Sequence, residues 1–201
     1  MTIEQKVFGI GFHKTGTKSL CRALEILGYR VCGPIGARNP DIAKEALSLA
    51  LDHARRFDAV QDNPFPPLFR DLDAAFPGSK FILTTEDPEV WIKRAVRFFG
   101  PNETPMRKWI YGKGSPVGNE ALYLDRFKAH QNDVLDHFKN RKDDLLVWPL
   151  TREPGWEKLC SFLGVDLPEN TEFPHENKGN CLLYTSPSPR DQRGSRMPSS
   201  A

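Results

Sequence analysis

The sequence predicts an α/β domain in which a mostly parallel sheet carries helices on both faces. Three observations lead there. Short apolar, β-branched runs alternate with longer stretches whose apolar residues recur at helical spacing, all along residues 7–163. Such alternation returns each strand parallel to an earlier one through a helical crossover. Turn and cap residues (Gly28, Pro77-Gly78 and Gly164) fall where the segments should end. The 201 residues are also enough to bury one sizeable core.

The first element, Val7–Phe12, is an apolar run punctuated by glycine and reads as a buried strand. The turn His13-Lys14-Thr15-Gly16-Thr17 follows. Leu20, Ala23, Leu24 and Leu27 then recur at i, i+3, i+4 and i+7, a helix closed by Gly28. Strand, small-residue turn and helix together aim backbone N–H groups and a helix N-terminus at an anion. Gly16 permits close approach, Lys14 brings positive charge, and Thr15, Thr17 and Ser19 bring hydroxyls. On this reading the domain is a three-layer fold of the P-loop type, and His13, Lys14, Thr15, Gly16, Thr17, Lys18 and Ser19 hold the phosphate. The alternative is a structural turn without a ligand. The nucleotide-triphosphatase pattern G-x-x-x-x-G-K-[ST] is not met, because Thr17 stands in the lysine position after Gly11 and Gly16. Nor is G-x-G-x-x-G, because Lys14 stands at the third glycine after Gly9 and Gly11.

Further along, Tyr29–Cys32 is a brief strand. A helix runs from Asn39-Pro40-Asp41 to Arg56, with Leu47, Leu51 and Ala54 as its apolar stripe. Phe57–Asp62 is a strand ending in Asp62, at the carboxyl edge where ligands gather in parallel sheets. Leu68–Phe76 is a short helix, and Lys80–Thr85 (KFILTT) the central strand. Asp87 caps a helix that opens on Pro88 and reaches Phe99, with Trp91, Phe98 and Phe99 on its buried stripe. Gly100–Asn119 reads as a long loop carrying Trp109-Ile110-Tyr111. Glu120–Asn140 is a helix, Leu145–Trp148 a strand and Trp156–Leu163 the last helix.

Composition excludes several classes. No apolar run can span a membrane, and MTIEQK lacks the basic-then-apolar layout of a secretion signal. The four cysteines form no CxxC and no metal-ligand spacing, so they read as reduced thiols in a cytoplasmic protein. Residues 181–201, CLLYTSPSPRDQRGSRMPSSA, are rich in Ser, Pro and Arg and have no periodicity. They resemble the translated ends of a transposon-type sequencing adapter, so the domain is expected to occupy residues 1–180. The formal charge is +2, and without the tail, which holds three arginines and one aspartate, it is 0. No basic surface for nucleic acid is implied.

GFHKTGTKSL resembles the 5′-phosphosulfate loop of the P-loop sulfotransferases, where a lysine stands two residues before the glycine of K-[ST]-G-T. The likeness continues in DAVQDNPFPPLFRDLDAAFPGSKFILTTEDPEVW, LYLDRFKAH, DDLLVWPL and GWEKLCSFLGVDLPENTEFPHEN, in order, over nearly all of residues 7–180. It implies transfer of a sulfuryl group from 3′-phosphoadenosine 5′-phosphosulfate to a hydroxyl or amine of a small-molecule or carbohydrate acceptor, without a metal. Lys14 would then neutralise charge on the leaving group. Asp62 is the first candidate for the base, and His13 and His130 are weaker ones. The family pattern places Arg and Ser around the donor's 3′-phosphate, where this chain has Glu86 and Arg94. Glu86 should repel a phosphate. Arg94 has the sign to bind it, or to pair with Glu86 instead. Lys178, in Asn177-Lys178-Gly179, faintly resembles a further phosphate contact. Two other functions stay open: a kinase or nucleotide hydrolase using Lys18, and a non-catalytic relative without a 3′-phosphate site.

Overall fold

The computed structural model describes residues 5–176, so Lys178 and the tail 181–201 lie outside the described residues. Five strands, β1 (Val7–Gly9), β2 (Val31–Cys32), β3 (Ala59–Gln61), β4 (Lys80–Thr84) and β5 (Leu145–Trp148), form one sheet in the order β2-β3-β1-β4-β5. Every pairing is parallel. The described helices are α1 (Thr17–Ile26), α2 (Ile42–Arg56), α3 (Phe69–Ala75), α4 (Pro88–Phe99), α5 (Pro105–Tyr111), α6 (Glu120–His137) and α7 (Trp156–Leu163).

The period of two along the strands builds the layers. Val7, Ala59 and Ile82 face one side and pack with Leu20, Ala23 and Leu24 of α1 and Leu159 of α7. Phe8, Val60, Phe81 and Leu83 face the other, against Ala46 and Ala50 of α2, Trp91 of α4 and Phe127 of α6. Helices therefore cover both faces, as the alternation of elements implies. The sheet grows first to one side of β1 and then to the other. The loop leaving β1 thus opens at the switch in strand order, where parallel sheets place their ligands.

Several boundaries move. β1 pairs only as far as Gly9, with Ile10 N–H adding one bond to the Ile82 carbonyl at 2.8 Å. Beyond it the chain runs tight against β4, since a Cβ on Gly11 would stand 2.0 Å from the Thr84 hydroxyl. The buried stripe of α2 is Ile42, Ala46, Ala50 and Ala54, while Leu47 is 38% exposed. A row of alanines at i, i+4 lets the helix lie close to the sheet, and this outweighs the larger leucine. The stretch read as a loop from Gly100 to Asn119 contains α5. Thr104 caps it by accepting the Arg107 N–H at 3.2 Å, Pro105 opens it, and Gly112 closes it in the left-handed region. No helix among the described residues is long and apolar enough to cross a membrane.

Candidate active site

The turn between β1 and α1 is held open by its own backbone. Gly16, at φ +102°, is the residue before the first turn of α1, and its carbonyl accepts the Leu20 N–H at 3.0 Å. A Cβ there would be strained and would press on Leu150 at 3.1 Å. Lys14 is also left-handed, at φ +67°, and its ammonium lies 3.9 Å from the centre of the Phe98 ring. Phe98 is therefore not in the buried stripe of α4. It is 49% exposed and stacks on the lysine instead. The hydroxyls divide into three tasks. Thr15 donates to the Phe12 carbonyl and shares a bond with Thr84, both at 2.6 Å, which ties the turn to β4. Thr17 donates to Asp62 at 2.9 Å, and Ser19 accepts the Glu176 N–H at 3.1 Å. Lys18 is exposed on the first turn of α1.

Asp62 follows β3 in a left-handed conformation at φ +64°. Its Oδ1 accepts the Asn63 N–H at 2.7 Å and its Oδ2 accepts the Thr17 hydroxyl. Burial raises its pKa above the usual carboxylate value, although those two hydrogen bonds and the charges of Lys14 and Lys18 act against the rise. His13 is buried between Asn63 and Tyr111, with Nδ1 3.3 Å from the Asn63 amide and Nε2 3.4 Å from the Tyr111 hydroxyl. Burial, with the charges of Arg107 and Lys14, pushes it down to about 3, so it is neutral at pH 7. Trp91 Nε1 donates to the His13 carbonyl at 2.8 Å and fixes the start of the turn. His130 is a core residue. Its Nε2 bonds the Ile10 carbonyl at 2.7 Å, its ring stacks on Phe12, and burial lowers it to about 4.

Two cavities flank the turn and share Lys14 and Gly16. The larger, about 420 Å³, is lined by His13, Asp62, Phe98, Phe99, Met106 and Arg107, among others. The smaller, about 190 Å³, is lined by Ser19, Arg94, Thr151, Phe173 and His175, among others. α5 thus supplies two walls of the larger cavity. Arg107 is held there by the Gly114 carbonyl at 2.7 Å, by the Asn102 carbonyl, and by the Phe99 ring at 4.3 Å.

Beside the smaller cavity, Arg94 pairs with Glu86 as anticipated for one of its two roles, but two further partners join them. Arg152 reaches Glu86 Oε1 at 3.2 Å, and the Thr151 hydroxyl reaches Oε2 at 2.5 Å. Burial works to raise the Glu86 pKa. The hydrogen bonds from Thr151 and the Asp87 N–H and the charges of Arg94 and Arg152 outweigh it and hold the carboxyl below its usual range. The Glu86 charge is thus matched by two guanidiniums, one of them the Arg94 that the sequence left open as its partner. Among the described residues, no group of three or more His, Cys, Asp or Glu side chains is placed to hold a metal ion.

A family model described as a sulfotransferase domain matches residues 6–116 and 97–182. The chain belongs to this sulfotransferase family. Ava biosynthesis cluster protein M of Aspergillus versicolor is 27% identical to this chain over 90% of it and 85% of its own length. The candidate residues converge on the turn after β1: His13 to Ser19 from the loop and α1, Asp62 from the end of β3, and Arg94 from α4. Sequence reasoning missed Met106, Arg107, Thr151 and Arg152. For the first two a signal existed, the cap Thr104-Pro105 with Gly112 seven residues on. For the last two there was none, since their place depends on the pairing of β5 with β4.

Proposed function

We propose that this sulfotransferase takes its sulfuryl group from 3′-phosphoadenosine 5′-phosphosulfate and passes it to a hydroxyl or amine of a small, largely apolar acceptor. The observation that carries the reading is the pair of cavities meeting at Lys14 and Gly16. One has basic and hydroxyl groups suited to a nucleotide, the other aromatic and aliphatic walls with one carboxylate. Transfer between two molecules requires such a junction.

The loop fits an anionic donor, because Gly16 permits the left-handed turn beside Leu150 and α1 presents its first N–H groups there. Lys14 would neutralise the charge that develops on the bridging oxygen as the sulfur–oxygen bond to the leaving phosphate breaks. Asp62 would take the proton of the acceptor as its oxygen or nitrogen bonds to sulfur. A carboxyl raised by burial is better matched to that proton than an ordinary one. Neutral His13, its two ring nitrogens engaged by Asn63 and Tyr111, would hold the turn. The apolar walls Phe98, Phe99 and Met106 favour a phenol or hydrophobic alcohol over a bare sugar.

A second reading has one specific observation behind it. A hydroxyl bonded to a carboxylate, as in Thr17 and Asp62, is also the pair that holds Mg²⁺ in P-loop phosphoryl transfer. Calorimetric titration of the full chain separates the two. The expected result is binding of 3′-phosphoadenosine 5′-phosphate without metal, weakened about tenfold or more in Lys14→Ala, the loss of roughly one charge-assisted contact. Binding of ATP with Mg²⁺ in its place would overturn the proposal in favour of phosphoryl transfer. Silence toward both would favour a non-catalytic relative.

A further inference from the structure

We propose that Glu86 is a positioning residue that gathers Arg94 and Arg152 into a clamp for a second phosphate of the donor, separate from the group at the Lys14 turn. The proposal rests on the donor reading above and adds which residues hold the nucleotide at its other anionic end.

The geometry of the carboxylate carries it. The Glu86 side chain is 2% exposed and its oxygens meet four donors. Oε2 receives Arg94 and the Thr151 hydroxyl, and Oε1 receives Arg152 at 3.2 Å and the Asp87 N–H at 3.0 Å. Its charge is thus enclosed, while the side chains of Arg94 and Arg152 remain 45% and 57% exposed. A guanidinium has five N–H donors in a fixed fork, so each arginine keeps donors for an anion after binding Glu86. The three side chains sum to one positive charge on the solvent side.

Arg94 comes from α4 and Arg152 from the segment after β5. Two exposed arginines on separate elements repel each other and lose rotamer freedom when brought together. A buried carboxylate at the end of β4, between them, offsets both costs before any ligand arrives. Arg94 and Thr151 line the same cavity as Lys14, Gly16 and Ser19. A ligand filling that cavity meets Lys14 at the turn and Arg94 of the clamp, which suits a nucleoside carrying two separate anionic groups.

The test has a sign. If Glu86 merely repels phosphate, Glu86→Gln should tighten binding; if it positions the arginines, the same change should weaken it. We would titrate 3′-phosphoadenosine 5′-phosphate and adenosine 5′-monophosphate into the full-length wild type, Glu86→Gln and Arg152→Ala. The last removes an exposed side chain and so keeps the fold. The expected outcome is a wild-type preference for the bisphosphate that falls about tenfold in each variant, with binding of the monophosphate within about twofold. Unchanged or tighter binding of the bisphosphate in both variants overturns the clamp. Equal wild-type affinity for the two nucleotides, still dependent on Lys14, overturns the clamp and leaves the donor turn standing. No binding of either nucleotide removes the donor reading, and the clamp with it.

Discussion

The two cavities beside Lys14 are walled by different kinds of structure. The smaller is made from side chains locked by ion pairs and by strand ends: Arg94 on Glu86, Thr151 on Glu86, and Ser19 on the backbone of Glu176. The larger is made from Phe98 and Phe99 at the last turn of α4, from α5, and from Pro34, Ile35 and Ala37 after β2. Charged, preorganised groups suit a ligand whose anions never change. Apolar walls on short connecting elements suit a ligand that differs from one relative to the next, since such segments vary without disturbing the sheet. On the proposed reading each half of the specificity has its own address: the donor in the ion pairs, the acceptor in residues 98–107.

The largest effect should come where the cavities touch. Lys14→Ala removes a cation common to both, and kcat should fall by about 10³, at the upper end for loss of one preorganised donor. Because Lys14 faces each cavity, donor and acceptor affinities should both weaken. Loss confined to one of them would mean that Lys14 serves a single cavity and that the two do not meet there.

Asp62 lies only in the larger cavity, so its replacement should spare the donor. Asp62→Asn should lower kcat about 10²-fold, as for a lost general base, with donor binding unchanged. Stability gives an independent reading. The folded pKa of Asp62 is raised, so the folded state favours its protonated form. That contribution is present below the unfolded value of 3.8 and is lost as pH rises through the folded pKa. An asparagine side chain mimics the protonated form at every pH. Melting curves should therefore show the variant more stable than wild type at pH 7 and equal to it below a pH of 3.8, the unfolded value. A variant less stable at pH 7 would make Asp62 a structural residue.

Much of this was legible in the chain. The loop after β1 announced itself because a strand, a glycine turn and an amphipathic helix fall within twenty-one residues, Val7–Leu27, and local patterns are what sequence displays. Asp62 was legible because it ends a short apolar run. For Glu86, the pairing with Arg94 was one of the two readings the sequence left open. Its charge was plain, but its enclosure depends on Thr151 and Arg152, sixty-five and more positions away and brought near by the pairing of Thr84 with Trp148. α5 was missed for another reason: at seven residues it is too short to show a period, although its capping residues were in view.

The smallest predicted effect tests the larger cavity through that short helix. Thr104 lines the cavity, and its hydroxyl accepts the Arg107 N–H, holding the first turn of α5. Thr104→Ala should cost about 1 kcal/mol, the usual worth of such a cap, and lower the melting temperature by about 2–4 °C. Met106 and Arg107 would then be less well fixed, and the acceptor KM should rise about threefold, a cost below that of the whole cap. Thr104→Ser keeps the hydroxyl and should restore both values. The smaller cavity, the one proposed for the donor, has no residue on α5, so calorimetry with 3′-phosphoadenosine 5′-phosphate should give the same affinity in all three proteins. A parallel fall in donor affinity would mean that the two cavities respond as one, and that α5 communicates with the turn through Tyr111 and its contact with His13.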